Sequence, residues 1–206
     1  LSILVESAPP AGAGQPLVVR PARSGVAVLD WLRAERDQIA RWRSEHGAVL
    51  LRGFEVAGTA AFEELLRAAV DGELMEYSYA STPRRAVGQG GIYTATEYPA
   101  DQSIPLHNEM SYARAWPGVL GFYCEQPADV GGATPLADSR RVLERLDAEL
   151  VAEFERRGVQ YVRNYGNRLD LPWQQVFGTD QRAQVEEFCK TANIEWEWCG
   201  EDGLRT

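Results

Sequence analysis

The amino-acid sequence predicts an α+β chain, mostly β with flanking helices, of the β-sandwich or jelly-roll kind. Short apolar runs typical of strands alternate with a few amphipathic helical segments, and this order favours that class. A single domain is expected over residues 1–206, which is enough chain for a real core, with residues 1–25 as an extended lead-in. The 45% apolar and 25% charged residues exclude disordered and fibrous classes.

The N-terminal part predicts two strands and two helices. An edge strand is expected at residues 17–20, and a helix that begins near Leu29 is stopped at Gly47. Residues 47–54 form a short apolar run typical of a strand. Thr59 is expected to cap the second helix. The inner face of that helix is predicted to hold Phe62, Leu65, Leu66 and Ala69.

The middle of the chain predicts strands on both sides of its clearest helix. Residues 116–127 form one strand, and residues 131–138 form a turn and a second short strand. Asp138 is expected to cap the helix and Gly158 to end it, while residues 158–165 alternate as a strand does. The core-facing stripe of the helix is predicted to hold Val142, Leu146, Leu150 and Phe154.

The C-terminal part predicts one more helix and one more strand. A polar helix is expected at residues 179–192, with Val185 and Phe188 on its inner side, and a half-buried strand at residues 194–198. A tight turn follows that strand, and a hairpin partner is expected beyond it. The sequence therefore predicts that the domain continues past Thr206.

Charge and cysteine content narrow the functional class. A net charge of −9 repels phosphate backbones, so nucleic-acid binding is excluded, and no apolar run is long enough to span a membrane. The start of the chain has no signal-peptide pattern. Cys124, Cys189 and Cys199 lack the spacing of a disulfide scaffold or a zinc site, and we expect all three to be small buried side chains in a cytoplasmic protein.

The two histidines of the chain differ in their surroundings. His46 lies at the end of a predicted helix, where its interaction with the helix dipole suffices to explain it. His107 and Glu109 are two positions apart, so in an extended segment their side chains point to the same face. An imidazole nitrogen and a carboxylate oxygen are two parts of the 2-His-1-carboxylate iron site. The alternative is an ordinary histidine beside a surface glutamate.

Two longer segments carry a resemblance: TATEYPADQSIPLHNEMSYARAWPG at residues 94–118 and FYCEQPADVGGATPLADSRRV at residues 122–142. They resemble the TauD/TfdA (taurine dioxygenase-like) family of Fe(II)/2-oxoglutarate-dependent oxygenases, in its SyrP-like branch of natural-product hydroxylases. The resemblance implies a double-stranded β-helix, Fe(II), and 2-oxoglutarate and O2 as co-substrates. It also implies that His107 and Glu109 are catalytic residues and metal ligands, and that Thr134 binds 2-oxoglutarate.

The sequence departs from the family pattern in two respects. The family more often has Asp at the position of Glu109, but a carboxylate is kept, which argues against halogenation. The second iron-binding histidine and the 2-oxoglutarate-binding arginine are not found, since no histidine follows His107. We expect that the C-terminal part of the domain is missing from this sequence. The alternative is a non-catalytic binding module of the same fold.

The resemblance implies hydroxylation of an amino acid, either free or tethered to a carrier protein, in natural-product biosynthesis. Desaturation, cyclisation or epimerisation at the same site are alternatives that the sequence does not separate. Candidate residues for substrate recognition lie in the irregular segment of residues 72–102 or directly after it: Tyr77, Tyr79, Arg84, Tyr93 and Ser103. For Arg84 a solvent-exposed position is the stronger expectation. The sequence makes no prediction of oligomeric state.

Overall fold

The computed structural model describes residues 4–9, 16–77, 79, 81–82, 84–87, 90–96, 99, 101–166 and 171–206. The chain divides into two compact units. The first comprises residues 1–75, 86–92 and 119–133, and the second comprises residues 76–85, 93–118 and 134–206. Helices and small sheets occur in the described residues, as an α+β class predicts.

In its described residues, the first unit contains three strands and three helices. They are β1 (Val5–Ala8), β2 (Leu17–Pro21), α1 (Val28–Ala34), α2 (Arg36–His46), β3 (Val49–Leu51) and α3 (Gly58–Ala69). The sheet order is β1-β2-β3, with β1 antiparallel and β3 parallel to β2. Apolar side chains from β2 and the helices form its core: Leu17, Val19, Val28, Trp31, Leu32, Ile39, Leu65 and Ala68.

Three predictions for this unit are corrected. The strand at residues 17–20 is central rather than at an edge, because β1 and β3 pair with its two sides. The helix predicted from Leu29 is broken at Glu35, whose backbone is not helical, into α1 and α2. Thr59 does not cap α3, since the helix begins at Gly58 and Ala57 occupies the cap position. Leu65 is buried on the predicted inner face.

The described part of the second unit contains four helices and a three-stranded sheet. They are α4 (Ser139–Leu143), α5 (Ala148–Arg157), β4 (Asn164–Tyr165), α6 (Trp173–Phe177), α7 (Arg182–Thr191), β5 (Glu197–Cys199) and β6 (Gly203–Arg205). The sheet order is β4-β6-β5, and both pairs are antiparallel. The core of this unit is formed by Tyr79, Tyr165, Trp173, Val176, Val185, Cys189 and Leu204.

The C-terminal hairpin differs from the expectation. The strand partner of β5 is β6, in which Leu204 lies opposite both Tyr165 and Trp198. The residues just before Thr206 thus already supply the strand that was expected after the turn. The helix predicted at residues 179–192 is confirmed as α7, and Val185 is completely buried.

The strands predicted at residues 116–127 and 131–138 are not present, although every residue of both segments is described. Several of their apolar side chains are instead exposed, with Phe122 at 72% and Leu136 at 50% of full exposure. An extended segment becomes a strand only when a neighbour accepts and donates its backbone hydrogen bonds. No such neighbour pairs with these two segments in the described part of the chain.

The helix after residue 138 is confirmed at both ends and corrected between them. Asp138 accepts a hydrogen bond from the backbone N–H of Arg140, and Gly158 ends α5 with a φ of 75°. The helix breaks after Leu143, and Asp147 caps a second helix, α5. The stripe expected to face the core is exposed at all four positions: Val142, Leu146, Leu150 and Phe154.

The cysteines are free, and only one of them is buried. Cys189 is inaccessible, as predicted, whereas Cys124 and Cys199 are exposed, contrary to the prediction. Among the described residues, no helix has the length and apolar character needed to cross a lipid bilayer.

Candidate metal centre

His107 lies in a segment without regular secondary structure, and its ring is exposed. Its Nδ1 atom is 2.8 Å from the backbone oxygen of Pro105. Because a carbonyl oxygen only accepts hydrogen bonds, Nδ1 carries the hydrogen and Nε2 of the neutral ring keeps its lone pair. Metal-binding histidines characteristically donate their other ring N–H to a carbonyl or carboxylate. The contact therefore presents Nε2 as a metal donor.

Glu109 begins a turn instead of continuing an extended segment, which corrects the conformation expected for this pair. The residue that follows, Met110, is buried and has a φ of 53°, so the chain turns sharply after the carboxylate. The Glu109 side chain is only 14% exposed, and its Oε2 accepts a hydrogen bond from Arg84 Nη2 at 3.0 Å. One carboxylate oxygen is thus already engaged.

Asn108, between the two candidate ligands, has a partner of its own. Its Oδ1 accepts a hydrogen bond from Ser139 Oγ at 3.3 Å, which ties the segment to the start of α4. Asp138 at that helix start accepts from both the backbone and the side chain of Arg140, and these bonds lower the pKa of its carboxyl group. Thr134 is exposed, and its assignment to 2-oxoglutarate stays a prediction.

Arg84 is largely buried, at 19% exposure, contrary to the expectation of a solvent-exposed side chain. Its guanidinium carbon lies 4.5 Å from the centre of the Tyr77 ring, and its Nη2 also donates to Thr96 Oγ1 at 3.3 Å. The hydroxyl of Tyr93 accepts a hydrogen bond from the backbone N–H of Tyr77 at 2.9 Å. Three candidates for substrate recognition, Tyr77, Arg84 and Tyr93, are therefore together, but the group contacts the Glu109 carboxylate through Arg84.

A second arginine of the same unit, Arg163, lies among aromatic rings, and this arrangement was not predicted from the sequence. The Arg163 guanidinium carbon lies 4.6 to 4.9 Å from the ring centres of Tyr79, Tyr112 and Tyr165. Burial raises the pKa of both Tyr112 and Tyr165, so neutral phenols face the cation. The only sequence signal was the alternation of residues 158–165, which places Arg163 and Tyr165 on one face. Ser103, also a substrate candidate, is exposed.

The donor set fits part of an iron site. His107 and Glu109 provide the nitrogen and oxygen donors that Fe(II) accepts in a facial triad. Within the described ranges there is no group of three or more His, Cys, Asp or Glu side chains that could hold a metal ion. His46, the other histidine of the sequence, ends α2 in the first unit, with Nε2 4.0 Å from Glu45 Oε2. The second histidine that would complete the facial triad is therefore not found among the described residues.

Comparison with known proteins identifies the family. The family model described as taurine catabolism dioxygenase TauD, TfdA family matches residues 10–200. The chain belongs to the TauD/TfdA family. This confirms the resemblance to the TauD/TfdA family that the sequence carries. A jelly-roll fold is what membership of the TauD/TfdA family implies.

Two curated proteins are similar to most of this chain. The chain is 42% identical over 163 residues to the dapdiamide synthesis protein DdaC of Enterobacter agglomerans, covering 79% of this chain and 49% of that protein. It is 33% identical over 195 residues to a clavaminate synthase-like protein of Arabidopsis thaliana, covering 90% of this chain and 58% of that protein. The TauD/TfdA chain described here thus spans about half the length of the relatives that it matches.

Proposed function

We propose that the protein containing this chain is an Fe(II)/2-oxoglutarate-dependent hydroxylase. The observation that carries the proposal is the hydrogen bond from His107 Nδ1 to the Pro105 carbonyl, which leaves Nε2 as a donor two residues before the Glu109 carboxylate. The match to the TauD/TfdA family over residues 10–200 supports it. Because three cysteines are free, we also propose a reducing, cytoplasmic setting.

Each candidate residue has a distinct role in this proposal. His107 and Glu109 hold the metal, and Thr134 binds a carboxylate of 2-oxoglutarate through its hydroxyl. Bound iron supplies the activation of O2 that couples oxidation of 2-oxoglutarate to succinate and CO2 with hydroxylation of a substrate C–H bond. The chain's own contribution is to orient these groups and to limit the access of water, since the metal supplies the difficult chemistry.

The second histidine ligand and the arginine that pairs with 2-oxoglutarate are proposed to come from residues outside this sequence. The support is that His46 and His107 are its only histidines, and that the matched regions cover only 49% and 58% of the two relatives. A degenerate, non-catalytic module of the same fold is the competing interpretation.

An amino acid, free or tethered to a carrier protein, is the proposed substrate class. Similarity to a protein of dapdiamide synthesis supports a role in natural-product biosynthesis. Hydroxylation is proposed over desaturation, cyclisation or epimerisation because it is the usual outcome of this chemistry. Mass spectrometry of the product separates hydroxylation, which adds one oxygen atom, from the alternatives, because desaturation and oxidative cyclisation remove two hydrogens and epimerisation leaves the mass unchanged.

The proposal is tested by anaerobic titration of the complete gene product with Fe(II) and 2-oxoglutarate, followed by the visible charge-transfer band of the chelate. We expect a band that is lost in H107A and kept in H46A, a matched control that removes the other histidine. The same titration of the 206-residue chain should give no band. A complete gene product that gives no band would refute the enzyme and leave the binding module.

A further inference from the structure

We infer that Arg84 is a positioning residue that keeps Glu109 from binding the metal through both carboxylate oxygens. The inference rests on the proposed function, because it concerns the same iron site. Its structural basis is the hydrogen bond between Arg84 Nη2 and Glu109 Oε2, at 3.0 Å, between two side chains that are both largely buried.

Glu109 needs such a restraint more than an aspartate would. Its extra methylene adds a rotatable bond, and a glutamate loses up to about 2 kcal/mol of side-chain entropy when it is fixed. Glutamates also bind metals through either one or both oxygens, as calcium sites show. A cation on Oε2 restricts that freedom, because the hydrogen bond engages one lone pair of Oε2 and the positive charge of Arg84 repels a second cation from the same oxygen.

Arg84 is itself held in place by two neighbours besides Glu109. The ring of Tyr77 lies against its guanidinium, with 4.5 Å between the guanidinium carbon and the ring centre, and Thr96 accepts a second hydrogen bond from Nη2. Tyr77 is fixed in turn by Tyr93 and by a 3.2 Å contact between its hydroxyl and Thr82 Oγ1. A cation stacked in this way retains its position when the carboxylate is drawn toward a metal.

The buried Nε of Arg84 supports a role directed at Glu109 rather than at a substrate. Among the described residues, this N–H has no acceptor, and it is inaccessible to solvent. A guanidinium that recognised a substrate carboxylate would present a pair of N–H groups at an open surface. Arg84 instead directs its Nη2 to a single oxygen of the candidate iron ligand.

Denticity matters because coordination positions are limited. A metal held by a facial triad keeps about three positions for other ligands, of which 2-oxoglutarate takes two and O2 one. If Glu109 bound through both oxygens, it would occupy one of these positions. Either chelation of 2-oxoglutarate or access of O2 would then be lost. Arg84 thus keeps one coordination position open without touching the metal.

The experiment counts the waters on Mn(II) bound to the complete gene product, by ¹⁷O electron–nuclear double resonance. The wild type is expected to bind about three waters, and R84Q one fewer. In R84Q the Kd for 2-oxoglutarate is expected to rise about 10-fold or more. R84K retains a charged donor and should restore the wild-type water count. R114Q, which removes an exposed arginine of the same unit, is the matched control.

The outcomes separate this inference from the proposed function. A wild-type protein that binds neither Mn(II) nor 2-oxoglutarate refutes the proposed function itself. A wild-type protein that binds both, but with one water fewer than the expected number of about three, would have Glu109 bound through both oxygens despite Arg84. That result overturns the inference, and it does so even if R84Q does not fold. An unchanged water count and 2-oxoglutarate Kd in folded R84Q would also overturn it.

Discussion

Replacing Arg163 with methionine should destabilise the protein, because it removes a cation held by three aromatic rings. The guanidinium carbon lies 4.6 Å from the ring centre of Tyr112, 4.8 Å from that of Tyr165 and 4.9 Å from that of Tyr79. A cation–π contact contributes about 0.5–1 kcal/mol at a partly exposed site, so the three together give an upper value of about 1.5–3 kcal/mol. Methionine keeps the apolar packing of the arginine stem and thereby isolates the charged group.

The assay is urea unfolding of the complete gene product, in which R163M should lower the midpoint without changing the slope. R145M, which removes an exposed arginine of the same unit, is the control and should lie within about 0.5 kcal/mol of wild type. A double-mutant cycle of R163M with Y112L should give a coupling of about 0.5–1 kcal/mol. The reasoning fails if R163M unfolds with the same midpoint as R145M.

Three further results are expected. T134V should weaken binding of 2-oxoglutarate, T134S should restore it, and the affinity for metal should be unchanged in both variants. An equal loss of 2-oxoglutarate binding in T134V and T134S would argue against a contact through the hydroxyl group. In the native protein, Cys124 and Cys199 should react with a thiol reagent quickly, and Cys189 only after unfolding. Burial raises the pKa of Cys189 from 9.0 to about 11, so the free energy of unfolding should fall as pH rises above 9 and fall less steeply in C189A.

The sign of that pH effect follows from the direction of the shift. The folded state binds the thiol proton more tightly than the unfolded state does, so the stabilisation is complete below pH 9 and is lost as pH rises toward 11. The comparison with C189A is made between pH 9 and 10, because the raised pKa values of Tyr112 and Tyr165 add a similar loss at higher pH. A C189A protein with an unchanged slope would contradict the assignment.

Features determined by neighbouring residues were the ones predicted well. Asp138 caps its helix through a backbone N–H two residues away, and Gly158 ends α5 with a positive φ of 75°. Val185 is buried on the face of α7 that the helical period selects. For Asp138 and Gly158, the interaction that decides the structure lies within one helical turn, so the local sequence contains the information needed.

Features determined by distant residues were not predictable from a pattern. An apolar run such as residues 116–127 shows that burial is favourable but does not specify a strand partner, and in the described residues it has none. The Arg84–Glu109 pair joins positions 25 residues apart. Sequence spacing showed that Glu109 was a candidate ligand, but it gave no sign that an arginine caps one of its oxygens.

The H-x-E motif is held at each of its three positions by contacts within the chain. His107 donates to the Pro105 carbonyl, Asn108 accepts from Ser139, and Glu109 accepts from Arg84. The middle residue therefore anchors the segment to α4 and is more than a spacer between two ligands. Because part of the entropy of fixing these side chains is lost on folding, less remains to be lost on binding metal. The contacts around the candidate ligands thus favour a site that is organised in advance, which suits a centre that must keep positions open for co-substrates.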